Sequence, residues 1–158
     1  MVAGAAAASE RQSVMWHRKK PQLDEFGRSE LHYAAVDGNM DKARTALSAG
    51  ADVNLADKSG WTPLHAAAQS QSAPMVGLLI DRGADVHAMD RHGNTPLWRA
   101  VFAYNNDPAT IEALRAAGAD PWKKNQHGIS PVSLARTIAN YDVAKCFADL
   151  PADAADAT

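Results

Sequence analysis

The chain repeats itself, and a repeat restricts the fold more than any single residue can. A marker beginning Asp24-Glu25-Phe26-Gly27 returns as Asp57-Lys58-Ser59-Gly60, as Asp90-Arg91-His92-Gly93 and as Asn125-Gln126-His127-Gly128. Its glycines lie 33, 33 and 35 residues apart. A second marker, Gly-Ala-Asp, falls at 50–52, 83–85 and 118–120 in the same register. Two landmarks with one period define a repeat architecture, in which each unit buries its apolar face only against its neighbours. The third unit holds two extra residues, and both landmarks place them between Gly93 and Gly118. The stretch Tyr104-Asn105-Asn106-Asp107 is the best location, because Asn and Asp favour turns.

The second copy reads most clearly within a unit. Thr62 can cap a helix, Pro63 suits its first turn, and Leu64, Ala67 and Ala68 form a small apolar face. A break at Ser70 to Ser72 precedes a second apolar run, Pro74 to Ile80, and Gly83 supplies the left-handed residue that stops it. The junctions Ala51 to Gly60 and Ala84 to Gly93 carry Asp, Asn and Gly and should project as extended turns. The expected fold is therefore all-α, a solenoid of about four helix-turn-helix repeats with projecting turns, at residues 24–56, 57–89, 90–124 and 125–150. Residues 1–23 form an N-terminal tail in which Ser9 to Lys20, closed by Pro21, can lay Val14, Met15 and Trp16 on the first repeat as a cap. At the other end, Asp142 to Phe147 is the expected last helix, with Ala144 and Phe147 inward, and 151–158 is a flexible tail.

The run Gly60-Trp61-Thr62-Pro63-Leu64-His65-Ala66-Ala67-Ala68, followed by Gly83-Ala84-Asp85, resembles the ankyrin repeat. The resemblance covers roughly residues 24–150 and leaves only the tails outside. The other copies depart from it as Ser29-Glu30-Leu31-His32, Thr95-Pro96-Leu97-Trp98 and Ser130-Pro131-Val132-Ser133. Such a resemblance implies that partners are held on the turn tips and on the concave face of the first helices. At the turn tips this points to Arg28, Lys58, Trp61, Arg91, His92 and Asn94, and on the first helices to Gln69 and Phe102. The inserted loop, expected on the concave side, adds Tyr104 and Asn105, and Trp122 and Lys123 extend the stripe. Aromatic residues and Arg are enriched at binding hot spots, which favours one protein partner with an acidic or mixed surface, Trp61 acting as its anchor.

A second resemblance is to small bacterial ankyrin proteins, carried by Gly93 to Phe102, by Gly128 to Pro131 and by Ile138 to Val143. Some of those are immunity proteins, so it implies a stoichiometric inhibitor whose concave face covers a toxin domain. The alternative is a scaffold or regulatory adaptor that binds a protein without blocking an active site.

Other chemistry finds little support. Among the 158 residues, 18 acids against 16 bases give a net charge of −2, which opposes a nucleic-acid coat or a polybasic membrane binder. Cys146 is the only cysteine, so no intramolecular disulfide forms and a reducing cytoplasm is the simplest home. The apolar run Ala5 to Ala8 is far short of the ~20 residues of a spanning helix. His32 and His65 hold the same position of successive units and read as structural braces, while His87, His92 and His127 fall in junctions without metal-ligand spacing. Neither a nucleophile elbow nor a phosphate loop occurs. The expectation is a binding module that is no enzyme, needs no cofactor or metal, and is a monomer before it binds.

Overall fold

The structure, a computed structural model, describes Lys20, residues 22–138 and residues 142–152. The expected capping helix and most of the C-terminal tail lie outside these residues. The helices are α1 (Glu30–Asp37), α2 (Met40–Ser48), α3 (Pro63–Gln69), α4 (Ala73–Asp81), α5 (Pro96–Phe102), α6 (Ala109–Ala116) and α7 (Pro131–Thr137), followed by a short 3₁₀ helix, Asp142–Phe147. Ser29, Thr62, Thr95 and Ser130 precede the first helix of each unit in extended conformation, and Pro63, Pro96 and Pro131 open three of them.

The first helices, α1, α3, α5 and α7, stack on one another more closely than the second helices do. Their facing residues explain it: Ala34 and Ala35, Ala66 to Ala68, and Ala100 are buried and small enough to let helix axes approach. The first helices therefore form the inner, concave layer of the solenoid. Leu31, Leu64, Leu97 and Val132 recur at one position of successive units and fill the core beneath it, while Met75, Val76, Leu79, Ile111 and Leu114 seal it from the second helices. At the C-terminal end Val143 and Phe147 are buried and Ala144 is exposed, which corrects the expected inward pair. Both pairings share a face of the expected α-helix, but the segment is a 3₁₀ helix, and the larger Val143 is buried in preference to Ala144, which removes more apolar area from water. Cys146 is half-buried, and burial pushes its thiol pKa up, away from reactivity.

The repeated Asp-x-x-Gly marker builds each projecting hairpin. The Asp57 Oδ1 atom accepts hydrogen bonds from the Ser59 N–H (2.8 Å) and the Trp61 N–H (2.9 Å). Asp24, Asp90 and Asn125 do the same two and four residues ahead. Only an acceptor oxygen is required, so Asn125 serves as well as Asp. Successive hairpins join through single main-chain bonds, Lys58 N–H to the Phe26 carbonyl (2.9 Å), Arg91 N–H to Ser59 (3.0 Å) and Gln126 N–H to His92 (3.0 Å). Glycine closes the turn for two reasons seen together at Gly60: φ is +79°, and an added Cβ would come within 2.9 Å of the Arg91 nitrogen.

The equivalent histidines tie each unit to the next. His32 Nδ1 accepts from the Ser29 N–H (3.1 Å), and its Nε2 lies 2.9 Å from the Trp61 carbonyl. His65 repeats this with the Thr62 N–H (3.2 Å) and the Asn94 carbonyl (3.0 Å). A carbonyl can only accept, so each Nε2 carries the proton and each ring must be neutral to keep both bonds. The third unit has Trp98 there, and a different link replaces the brace: Asn125 Nδ2–H donates to Asn94 Oδ1 at 2.8 Å.

Burial lowers the pKa of both His32 and His65 from the ordinary 6.5. The unfolded chain therefore binds protons that the fold refuses, and stability is complete above pH 6.5 and falls as pH drops below it. The slope approaches about 1.4 kcal/mol per pH unit for each ring. Urea unfolding followed from pH 8 to 4.5 should show this loss, and His32→Asn/His65→Asn should remove it. Stability that stays flat down to the carboxylate range would contradict the brace.

Candidate protein-binding face

Superposing the units by register gives three columns on the concave side. Arg28, Trp61, Asn94 and Ile129 end the hairpins; Tyr33, Ala66, Arg99 and Leu134 follow on the first helices; and Val36, Gln69, Phe102 and Thr137 come three residues later, on the same helical face. Large apolar side chains stand out to solvent there, with Tyr33, Val36 and Phe102 exposed by 44%, 51% and 57%.

Arg99 organises the centre of this face. Its guanidinium lies 4.6 Å from the Trp61 ring centroid and 5.4 Å from that of Trp98, and Trp98 in turn stacks on Phe102 at 5.4 Å with 13° between planes. Trp61 also lies against His65, at 6.2 Å. The orientation of Arg99 is set by Asp90, whose Oδ2 accepts from Nη2 at 2.5 Å. Burial alone would raise the Asp90 carboxyl, but bonds from Arg99 and from the Asn94 and His92 N–H groups outweigh it and hold the group below the ordinary carboxylate range. One hairpin earlier, Arg28 Nε donates to Asp57 Oδ2 at 3.1 Å, from a more exposed position.

Arg28, Trp61, Arg91 and His92 thus gather on the face with Gln69, Phe102 reaches it only through Trp98 and Arg99, and Lys58 is exposed on the second hairpin tip. Asn94, expected among the turn-tip contacts, is instead buried at 4% exposure with its amide taken up by Asp90 and Asn125, so its side chain links hairpins and does not stand out on the tip. Tyr104 is half-buried and packs on the core, within electrostatic reach of Asp142 and Cys146, so the inserted loop with the exposed Asn105 lies toward the C-terminal end and apart from Trp61. Trp122 is also half-buried; it follows the Asp120 turn at the root of the third junction, and Arg136 covers it at 5.7 Å. Lys123 is exposed beside it. The single stripe read from the sequence is therefore two groups, and the central one contains Arg99 and Tyr33, which the sequence reading passed over.

These features define a class, the α-solenoid with a preformed inner face and projecting turns. A family profile described as ankyrin repeats (3 copies) matches residues 6–90 and 31–125, and the chain belongs to that family. Ankyrin-repeat proteins are protein–protein interaction modules and generally not enzymes. No curated protein matches the chain. Among the described residues no group of three or more His, Cys, Asp or Glu side chains could hold a metal ion, and no helix is long and apolar enough to cross a membrane.

Both carboxylates are covered, Asp90 fully and Asp57 to within 2%, but Arg99 is itself only 15% exposed whereas 40% of the Arg28 side chain lies in solvent, so water can take the place of the Arg28 guanidinium more readily than that of Arg99. Arg99→Met should therefore lower unfolding free energy by about 2–4 kcal/mol and Arg28→Met by less than about 1 kcal/mol. Equal effects of the two in urea denaturation would contradict the assigned roles.

Proposed function

We propose that this protein is a non-enzymatic, monomeric binder that covers one protein partner with its concave face and hairpin tips and inhibits it stoichiometrically, as an immunity protein inhibits a toxin domain. The observation that carries this is the one-sided placement of exposed apolar side chains. Of the seven exposed large hydrophobics among the described residues, Phe26, Tyr33, Val36, Phe102 and Ile129 belong to hairpins or first helices, Met89 precedes the third hairpin and Leu23 the first, and none lies on α2, α4 or α6. An exposed apolar face with Trp and Arg at its centre has the composition of a binding hot spot. One such face supports a one-to-one complex over a scaffold that bridges two proteins. The short helices and tied hairpins are ordered beforehand, so little conformational freedom is lost on association. The toxin reading rests on the likeness of Gly93 to Phe102, Gly128 to Pro131 and Ile138 to Val143 to small bacterial ankyrin proteins.

Affinity capture from the native host, followed by size-exclusion measurement of stoichiometry and an activity assay on the captured protein, tests this. A one-to-one complex is expected, with the partner's activity lost on saturation. Trp61→Ala should weaken it by about 2 kcal/mol, or some 30-fold. A ternary complex, or undiminished partner activity at saturation, would favour the adaptor and overturn the inhibitor.

A further inference from the structure

At the centre of the face, between the second and third hairpins and α5, lies a cleft of about 230 Å³ walled by Arg28, Ser59, Trp61, Arg91, His92 and Arg99. Its charge is unbalanced. Three guanidinium groups meet two carboxylates, Asp57 and Asp90, and both of those are buried and already bound to hairpin N–H groups. Arg28 and Arg99 use Asp57 and Asp90 as partners. Arg91 is exposed; its Nε donates to His92 at 3.2 Å, and no carboxylate pairs with it among the described residues. Arg99, in the same wall, also has a buried Nε–H without an acceptor, and with Arg91 lacking a carboxylate among these residues the wall of the cleft is short of one anion.

A second groove adjoins the cleft and shares Arg28 and Trp61 with it; Tyr33 and Val36 make it apolar, and Gln69 lies at its edge. The Gln69 Oε1 atom is buried and has no donor. A donor, an apolar group and an anion arriving together are what a stretch of polypeptide with one acidic and one apolar side chain supplies. We propose that the cleft receives an Asp or Glu carboxylate from an acidic segment of the partner, between Arg91, Arg28 and Arg99, while an apolar neighbour in that segment packs over Trp61 and Val36. This rests on the protein-binding reading and gives it an anchor. A nucleic-acid phosphate fits the site less well: such binding gains its strength from many cations along a track. Here one arginine is unpaired, and exposed Asp52, Asp85 and Asp120 stand at the roots of the junctions.

The test is a selection from a phage-displayed random dodecapeptide library on the full chain, then fluorescence anisotropy with the leading peptide. Enriched peptides should carry an Asp or Glu beside an apolar residue. Changing that acid to its amide should weaken binding at least tenfold, as should Arg91→Glu, whereas Arg44→Glu, an equal charge change on the exposed outer helix α2, should alter it less than twofold. Circular dichroism should show both variants folded. Peptides without an acidic excess that are still displaced by Phe102→Glu would overturn the carboxylate anchor and leave the protein-binding face standing. Enrichment of no sequence, or binding by Arg91→Glu equal to wild type, would also overturn it. So would a dT20 oligonucleotide that binds as tightly as the leading peptide and loses affinity with Arg91→Glu.

Discussion

A carboxylate oxygen bonded to two main-chain N–H groups ahead of it is the interaction on which the rest of this structure depends. At Asp57 it fixes the Ser59 and Trp61 amides, at Asp90 those of His92 and Asn94, and the same pair of bonds recurs at Asp24 and, with an amide oxygen as acceptor, at Asn125. A solenoid unit has no distant contacts to correct an error of register. The hairpins must therefore hold their own shape, and they pass it on through one main-chain bond per junction and through the histidine bridges to Trp61 and Asn94. The concave face inherits its spacing from this ladder.

The same carboxylates then serve a second purpose. Oδ1 of each holds the turn, which leaves Oδ2 free to orient an arginine: Arg28 on Asp57 and Arg99 on Asp90. Structural acids thereby aim cations at the surface without neutralising the face, because Arg91 brings a third guanidinium with no carboxylate pair among the described residues. Trp61 lies between the two arginines, its ring covered by Arg99. Orientation through the fold, rather than through the partner, is what lets an arginine bind with less loss of side-chain freedom.

Much of this was legible in the sequence because repetition compares each residue with its own equivalents. The period, the capping Thr62, the bracing His32 and His65, and the place of Trp61 all follow from register. The reading failed where a side chain's neighbour comes from another unit. Asn94 shares the column of Arg28 and Trp61, yet Asn125 of the next hairpin turns it into a buried link. Trp122 reads as an exposed aromatic until Arg136 from α7 covers it. Arg99 was passed over for the opposite reason: it stands in a column otherwise filled by Tyr33, Ala66 and Leu134, and that variation at an inner-helix position was the available signal. Ala144 failed on size, since spacing alone did not decide between it and Val143.

The central claim is that one face, formed by hairpin tips and first helices, does the binding. Hydrogen exchange on the chain with and without its captured partner addresses it most directly. The account predicts added protection at residues 28–37, 58–70 and 91–103, with α2, α4 and α6 unchanged. Protection concentrated on those second helices, with the hairpins unaffected, would contradict it.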